Sequence, residues 1–225
     1  MPKDFPPAYF YHLVFDANQA SILEKGLLST EALLIEAGYT GPELEEHLRS
    51  HRPRQVTLPN GIVLRDQSPM PPAALIKALP SHVSPEDWYR LLNSFVFLWA
   101  DADRVKRHWL AGGGRDQSLF VFDAPQVLED LGDRIRLSAI NSGNARRNPS
   151  PRAPETLVPY LEWRENGWPE YQGKKRPRTE TPVEILVEDR MPLSPFLLGS
   201  IPTEELRGEQ FDPQKIEAWL RKNRS

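Results

Sequence analysis

Two ionisable side chains stand inside apolar segments of the chain. His12 lies in the run "FYHLVF", and Glu184 lies in "PVEILVED". Each run predicts a buried strand, because β-branched, aromatic and leucine residues follow one another there. A carboxylate held in a pocket can accept a proton or stabilise a cation, which makes Glu184 a candidate catalytic residue. The simpler alternatives are a satisfied core histidine and a solvated strand glutamate.

The alternation of side chains along the second run bears on Glu184. Successive strand residues point to opposite faces, so Glu184, Leu186 and Glu188 share one face. The opposite face carries the valines and the isoleucine. Because a leucine stands between the two glutamates, their face is not purely a solvent face. Two interpretations of Glu184 therefore remain: its side chain lies in a pocket, or it lies on a solvated surface.

Composition excludes several kinds of chemistry. The chain has no cysteine, which rules out disulfides, thiolate zinc sites and cysteine nucleophiles. His47 and His51 have helical spacing but lack the HExxH core, so we expect no metal. The stretch "AGGGRD" lacks the lysine of a P-loop and the Rossmann spacing, and it predicts only the end of a helix.

Length and charge indicate a single soluble domain. The chain has 225 residues, 39% of them hydrophobic, and a net charge of -3. The overall charge gives no attraction to nucleic acid or membrane, so any such attraction must be local. We find no signal peptide and no apolar run approaching ~18 residues, and we predict a cytoplasmic protein.

The elements that must position these residues are strands and short helices. Several helices come early, a hairpin turns at Pro59-Asn60-Gly61, and strands with short helices between them follow. The clearest strands cover residues 10–15, 95–100 and 182–189. This order predicts an α+β fold.

Residues 141–182 predict a long functional loop. They are rich in proline, arginine, asparagine and glycine, and they show no clear period. Cations among aromatic rings can stack on and neutralise single-stranded nucleic acid. The candidates for binding such a substrate are Arg146, Arg147, Trp163, Trp168, Lys174 and Lys175. The alternative is a disordered surface loop with a solubilising basic cluster.

Three segments resemble the ADP-ribosyltransferase superfamily. They are "YHLVFDANQASILEKGLLS", "VFLWADADRVKRHW" and "TPVEILVEDRMPLSPFLLGSI", and they occur in the order that the superfamily keeps. The similarity is closest to DarT-like DNA ADP-ribosyltransferase toxins. It implies one domain over residues 1–225, with a split, mixed β core flanked by helices.

The resemblance also implies roles for individual residues. Glu184 would stabilise the oxocarbenium-like cation formed when NAD loses nicotinamide, and His12 would bind the adenosine-side ribose. Arg65 or Arg104 would pair with the pyrophosphate. The aromatic candidates for stacking on nicotinamide are Tyr11, Trp99, His108 and Trp109. Trp109 departs from the tyrosine that polymerase-like members keep there.

The implied activity is NAD-dependent mono-ADP-ribosyl transfer to a macromolecule, most simply a DNA base. NAD would be a co-substrate, and a neutralising partner protein would accompany a toxin. A non-catalytic module that binds nucleic acid or protein on the same scaffold is the alternative. An RNA 2′-phosphotransferase is a third option, but its N-terminal winged-helix half is not apparent.

Overall fold

The computed structural model describes residues 5–112, 117–146, 149–206 and 213–223. Within these ranges the strands are β1 (Tyr9–Phe15), β2 (Leu27–Leu28), β3 (Val56–Thr57), β4 (Val63–Leu64), β5 (Phe95–Trp99), β6 (Gln117–Asp123), β7 (Ile135–Ser138), β8 (Leu157–Pro159), β9 (Glu184–Glu188), β10 (Arg190–Met191) and β11 (Leu197–Pro202). The helices are α1 (Gln19–Lys25), α2 (Thr30–Glu36), α3 (Gly41–Arg49), α4 (Pro72–Leu75), α5 (Pro85–Leu92), α6 (Ala102–Ala111), α7 (Ala124–Leu131), α8 (Tyr160–Asn166) and α9 (Pro213–Asn223).

Seven strands form one large sheet in the order β11-β6-β1-β5-β9-β7-β8. Helices flank it, which confirms the α+β class. The three strands predicted most clearly from sequence, β1, β5 and β9, are direct neighbours in its middle. The expected mixed core is corrected, because every pairing among the described strands of this sheet is antiparallel.

The sheet is split between β1 and β5. Seven residue pairs join β1 to β6, and five join β5 to β9. Between β1 and β5 the register is a single pair, Tyr11 with Trp99. Two well-paired halves therefore meet at one point and separate beyond it, which leaves room between them for a cavity.

One face of the sheet is covered by α7 and α8. Phe10, Val96 and Ile185 bury their side chains there against helix residues. On the opposite face, α6 and α9 cover the β1 half. The helices α4 and α5 cover the β5 half of that face through Leu75 of α4 and through Trp88 and Tyr89 of α5. Each half of the sheet thus has its own apolar packing on that side.

The segment 141–182 contains some regular structure among its loops. It contains the edge strand β8 and the helix α8, besides a turn of 3₁₀ helix at Pro154–Thr156. Trp163 and Trp168 are 1% and 7% exposed and pack edge to face, 5.7 Å between ring centroids. Phe5 packs on Trp163 from the other side. Both rings thus belong to the core, and neither tryptophan lines the cavity described below.

Candidate functional site

A cavity of about 530 Å³ opens where β1 and β5 separate. This volume lies in the range of small-molecule sites, roughly 300–1,000 Å³. Its wall includes the ends of both strands, the segment 65–70 and the segment 141–146. Of the residues that the sequence singled out, it brings together His12, Arg65, Trp99, His108, Arg146 and Glu184.

His12 ties the two halves of the sheet together. Its Nδ1 lies 2.7 Å from the carbonyl oxygen of Phe97, on β5, where the backbone ladder has already parted. Because a carbonyl only accepts, Nδ1 carries the proton and Nε2 holds a lone pair. No described residue bonds Nε2, and the side chain lines the cavity. His12 is therefore both a structural bridge and a free acceptor at the cavity wall.

A second imidazole stands near the first. His108 projects from α6, and the carboxylate of Asp101 caps this helix by accepting hydrogen bonds from the backbone N–H groups of Asp103 and Arg104. Its ring lies 5.5 Å from that of Trp99, at a 40° tilt. Burial lowers the pKa of His12 and of His108 to about 4, and the Arg65 guanidinium also lowers both. Both imidazoles are thus neutral at pH 7.

Glu184 is 3% exposed, although its side chain lines the cavity. Its Oε2 accepts hydrogen bonds from the backbone N–H of Ser142 at 3.0 Å and from Ser142 Oγ at 2.6 Å. Burial raises the pKa of Glu184 from 4.5 to about 7, while the Ser142 donors, Arg152 and Arg104 oppose that rise. The carboxyl group can therefore exchange a proton near neutral pH.

Arg152 lies behind Ser142 and is 1% exposed. Its guanidinium donates to the carbonyl oxygens of Ser142 at 2.8 Å, Asn144 at 2.9 Å and Ser150 at 3.2 Å. One buried cation thereby gathers the backbone that surrounds the carboxylate of Glu184. Sequence reasoning missed both Ser142 and Arg152, because "NSGNARRNPSPR" carries no period that separates a folded loop from a disordered one.

The arginine candidates separate into two groups. Arg65 lines the cavity, with its guanidinium 4.7 Å from the centroid of the Phe15 ring. Arg104 lies outside the lining and pairs with Asp101 at 3.6 Å. Arg52, which sequence reasoning missed, also lines the cavity and donates from Nε to the Arg65 carbonyl at 2.7 Å. Burial lowers the pKa of Arg52 to about 10. Arg65 and Arg52 thus both bring positive charge to the lining of the cavity.

Two aromatic candidates lie outside the cavity lining. Tyr11 and Trp109 are 4% and 6% exposed and pack with the apolar residues of α6 and α9. Burial also raises the pKa of Tyr11. Neither residue occurs in the cavity lining, so the prediction that one of these rings stacks on a ligand finds no support there. Trp99 and His108 remain as aromatic walls.

The basic candidates of the 141–182 segment are also dispersed. Arg146 is exposed at the cavity wall, where its guanidinium donates to Ser68 Oγ at 2.9 Å. Lys174 and Lys175 are exposed in a turn closed by the pairing of Tyr171 with Lys174, outside the cavity lining. Arg147 lies outside the described residues.

A family model described as a family of unknown function (DUF7002) matches residues 8–194. The chain belongs to this family. The DUF7002 match runs from before His12 to beyond Glu184 and so covers both walls of the cavity. No curated protein and no solved structure matches the chain.

Two kinds of feature are absent from the described part of the DUF7002 chain. No group of three or more histidine and carboxylate side chains there could hold a metal ion. No helix in the described ranges has the length and apolar character that a membrane crossing requires.

Proposed function

We propose that the protein is an NAD-dependent mono-ADP-ribosyltransferase acting on a macromolecule, most simply a nucleic-acid base. The observation that carries the proposal is the meeting of His12 and Glu184 at one cavity, with the carboxylate anchored through one oxygen. The ADP-ribosyltransferase-like interpretation of the split sheet is part of the same proposal. The resemblance of the three sequence segments supports it independently.

Glu184 has the chemistry that the reaction needs. When the bond from nicotinamide to ribose breaks, positive charge develops on the ribose ring. A fixed carboxylate stabilises that charge more in the transition state than in bound NAD. Ser142 binds Oε2, which leaves Oε1 for a ribose hydroxyl or for the proton of the acceptor. With a pKa of about 7, a substantial fraction is ionised at neutral pH.

Other residues of the cavity lining suit the rest of a dinucleotide. The lone pair on His12 Nε2 can accept a hydrogen bond from a ribose hydroxyl, because the ring is neutral and its Nδ1 proton is engaged. Arg65 and Arg52 offer positive charge for two phosphate groups. Trp99 and His108 offer ring faces for a flat nicotinamide.

The nucleic-acid part of the proposal rests on Arg146. It is an exposed cation at the cavity wall of a protein whose net charge is -3. A phosphate of a polynucleotide could bind there while its base enters the cavity. With the two tryptophans in the core, the acceptor would have to find other ring faces.

One observation favours a second candidate. Arg52, Arg65 and Arg146 all line the cavity, and removal of a 2′-phosphate from RNA calls for several arginines around the phosphate. This reaction also consumes NAD, so the acceptor distinguishes the two activities. A 2′-phosphorylated oligonucleotide would lose its phosphate in one case, and an unmodified strand would gain mass in the other.

The test is incubation with NAD labelled in its adenine ring, with single-stranded DNA, RNA and 2′-phosphorylated RNA as separate acceptors. We expect label on DNA and free nicotinamide in equal amounts. Binding of NAD without any nicotinamide release would instead indicate the non-catalytic module. Where transfer occurs, comparing its rate in Arg146→Ala and in Lys175→Ala shows which of these two residues binds the acceptor.

A further inference from the structure

Behind Glu184, Ser142 and Arg152 form a buried chain of hydrogen bonds. Ser142 is fully buried and contacts two charged groups at once: it donates to Glu184 and accepts from Arg152. We propose that Ser142 is a positioning residue for Glu184, and that Arg152 holds Ser142 in place through its carbonyl oxygen. The catalytic consequence of this proposal rests on the function proposed above, whereas its structural part does not.

Both donors of Ser142 reach the same oxygen. The backbone N–H and the hydroxyl converge on Oε2 at 3.0 Å and 2.6 Å, and no described residue bonds Oε1. Two hydrogen bonds to one oxygen fix the rotation of the carboxyl group and leave the second oxygen on the cavity side. Hydrogen bonds to a charged acceptor are also stronger than neutral ones, so this anchor favours the ionised form.

Arg152 acts on this anchor through the backbone. Its guanidinium spans three carbonyl groups, those of Ser142, Asn144 and Ser150. A planar fork of donors can do this, and a lysine ammonium cannot reproduce the same spread. The backbone of Arg152 is held in turn by the Ala78 carbonyl at 3.0 Å. The turn that presents Ser142 to Glu184 is therefore built around one cation.

The charged groups near Glu184 come from two elements. Arg152 approaches from the loop before β8, and Arg104 approaches from α6, and both favour the carboxylate. The strongest influence in the opposite direction is burial of the carboxyl group itself. Removing the hydroxyl of Ser142 should therefore raise the pKa of Glu184, because Arg152 and Arg104 offset only part of the effect of burial.

The test follows the side-chain carboxyl carbon of Glu184 by NMR in protein labelled with ¹³C-glutamate, assigned by its absence in Glu184→Gln. We expect Ser142→Ala to raise the pKa of Glu184 by about one pH unit, because a charge-assisted hydrogen bond is lost. Ser118→Ala is the matched control, since that buried serine donates to Asp16 at 3.1 Å, outside the cavity lining. An unchanged titration in Ser142→Ala would overturn the proposal.

Arg152→Lys separates geometry from charge. If Arg152 acts by spanning carbonyls, the lysine variant shifts the Glu184 titration in the same direction as Ser142→Ala. A titration identical to that of the wild type would show that the charge alone suffices and would reject this part of the proposal. Ser142→Ala creates no buried charge, so it tests the anchor even where Arg152→Lys fails to fold.

Activity supplies the second arm. In Ser142→Ala, the pH profile of nicotinamide release should move to higher pH by the same amount as the NMR titration. If the wild type releases no nicotinamide at any pH, the proposed function fails. The NMR result still decides whether Ser142 positions Glu184. If release is present but its pH profile does not move, Ser142 is only structural.

Discussion

Glu184 lowers the stability of the protein at the pH where its carboxyl group ionises. Its pKa is about 7 in the folded protein and near 4.5 when exposed. Between these values the folded state binds more protons than the unfolded state, so stability falls as pH rises. Ionisation of Glu184 therefore does not help the fold, and the proposed catalytic role would give this buried carboxyl group a use.

Replacement of Glu184 by glutamine should therefore stabilise the protein at alkaline pH. The amide of the new side chain cannot ionise, and its oxygen can still accept from Ser142. We expect the free energy of unfolding of Glu184→Gln, relative to wild type, to rise by about 1 to 3 kcal/mol between pH 4.5 and pH 8. Urea denaturation at both pH values measures this. No gain at pH 8 would mean that Glu184 is not held in a desolvated site.

A matched control lies on the same strand. Glu188 shares the face of Glu184, but its side chain is 45% exposed and pairs with Arg136 at 3.1 Å. Exposed ion pairs contribute little to stability. Glu188→Gln should therefore change the free energy of unfolding only slightly at either pH.

The buried histidines should make the stability of the protein fall as pH falls, which is the opposite of the effect of Glu184. The pKa of His108 is about 4 in the folded protein, below its ordinary value of 6.5. As pH falls from 6.5 to 4, the unfolded state binds a proton that the folded state does not bind, so the folded state becomes less stable. His108→Gln should lose less stability over this interval, measured by urea denaturation. An equal loss in both proteins would contradict the burial of a neutral imidazole.

At the scale of elements, β2 is fixed by a close approach at Gly26. This residue ends α1 with a φ of +83°, and a Cβ added there would lie 2.5 Å from the Met191 carbonyl oxygen. That contact brings the start of β2 against β10 and places Leu27 and Leu28 at the cavity. Only glycine permits both the positive φ and the short distance.

Gly26→Ala should be more destabilising than Gly61→Ala. Gly61 has a similar φ of +85°, but a Cβ there would meet nothing within 4 Å. The second variant therefore carries only backbone strain, about 1 to 3 kcal/mol, whereas the first adds a clash with backbone. Thermal unfolding of both variants measures the difference. Equal shifts in Tm would show that β10 moves aside freely.

The same scale explains what sequence could and could not predict. The strands of His12 and Glu184 and the hairpin at Gly61 were predictable, because their signals are local. The 141–182 segment was not, because its composition is that of a loop while long-range contacts bury its tryptophans. Trp168 Nε1, for example, donates to the Glu180 carbonyl at 2.8 Å.

At the scale of the molecule, the split between the sheet halves creates the cavity, and charge is distributed unevenly around it. Arg146 stands at the cavity wall, whereas Lys174 and Lys175 stand outside the lining. We expect Arg146→Ala to raise the KM for a nucleic-acid acceptor more than it weakens NAD binding. That KM should also depend less on salt concentration than in the wild type. The double variant of Lys174 and Lys175 is the control.

Acceptor KM at several salt concentrations measures this effect. An equal loss in the lysine variant would mean that the acceptor is held by general surface charge rather than at the cavity wall. An equal loss of NAD affinity in Arg146→Ala would assign that arginine to the dinucleotide instead.

Release of nicotinamide from NAD by Glu184→Gln, compared with wild type and Glu188→Gln, tests the central claim most directly. If the carboxylate stabilises the oxocarbenium-like transition state, turnover by Glu184→Gln should fall at least ~10²-fold while NAD affinity changes much less. Glu188→Gln should retain the wild-type rate. Undiminished release by Glu184→Gln, with the acceptor present, would contradict the account.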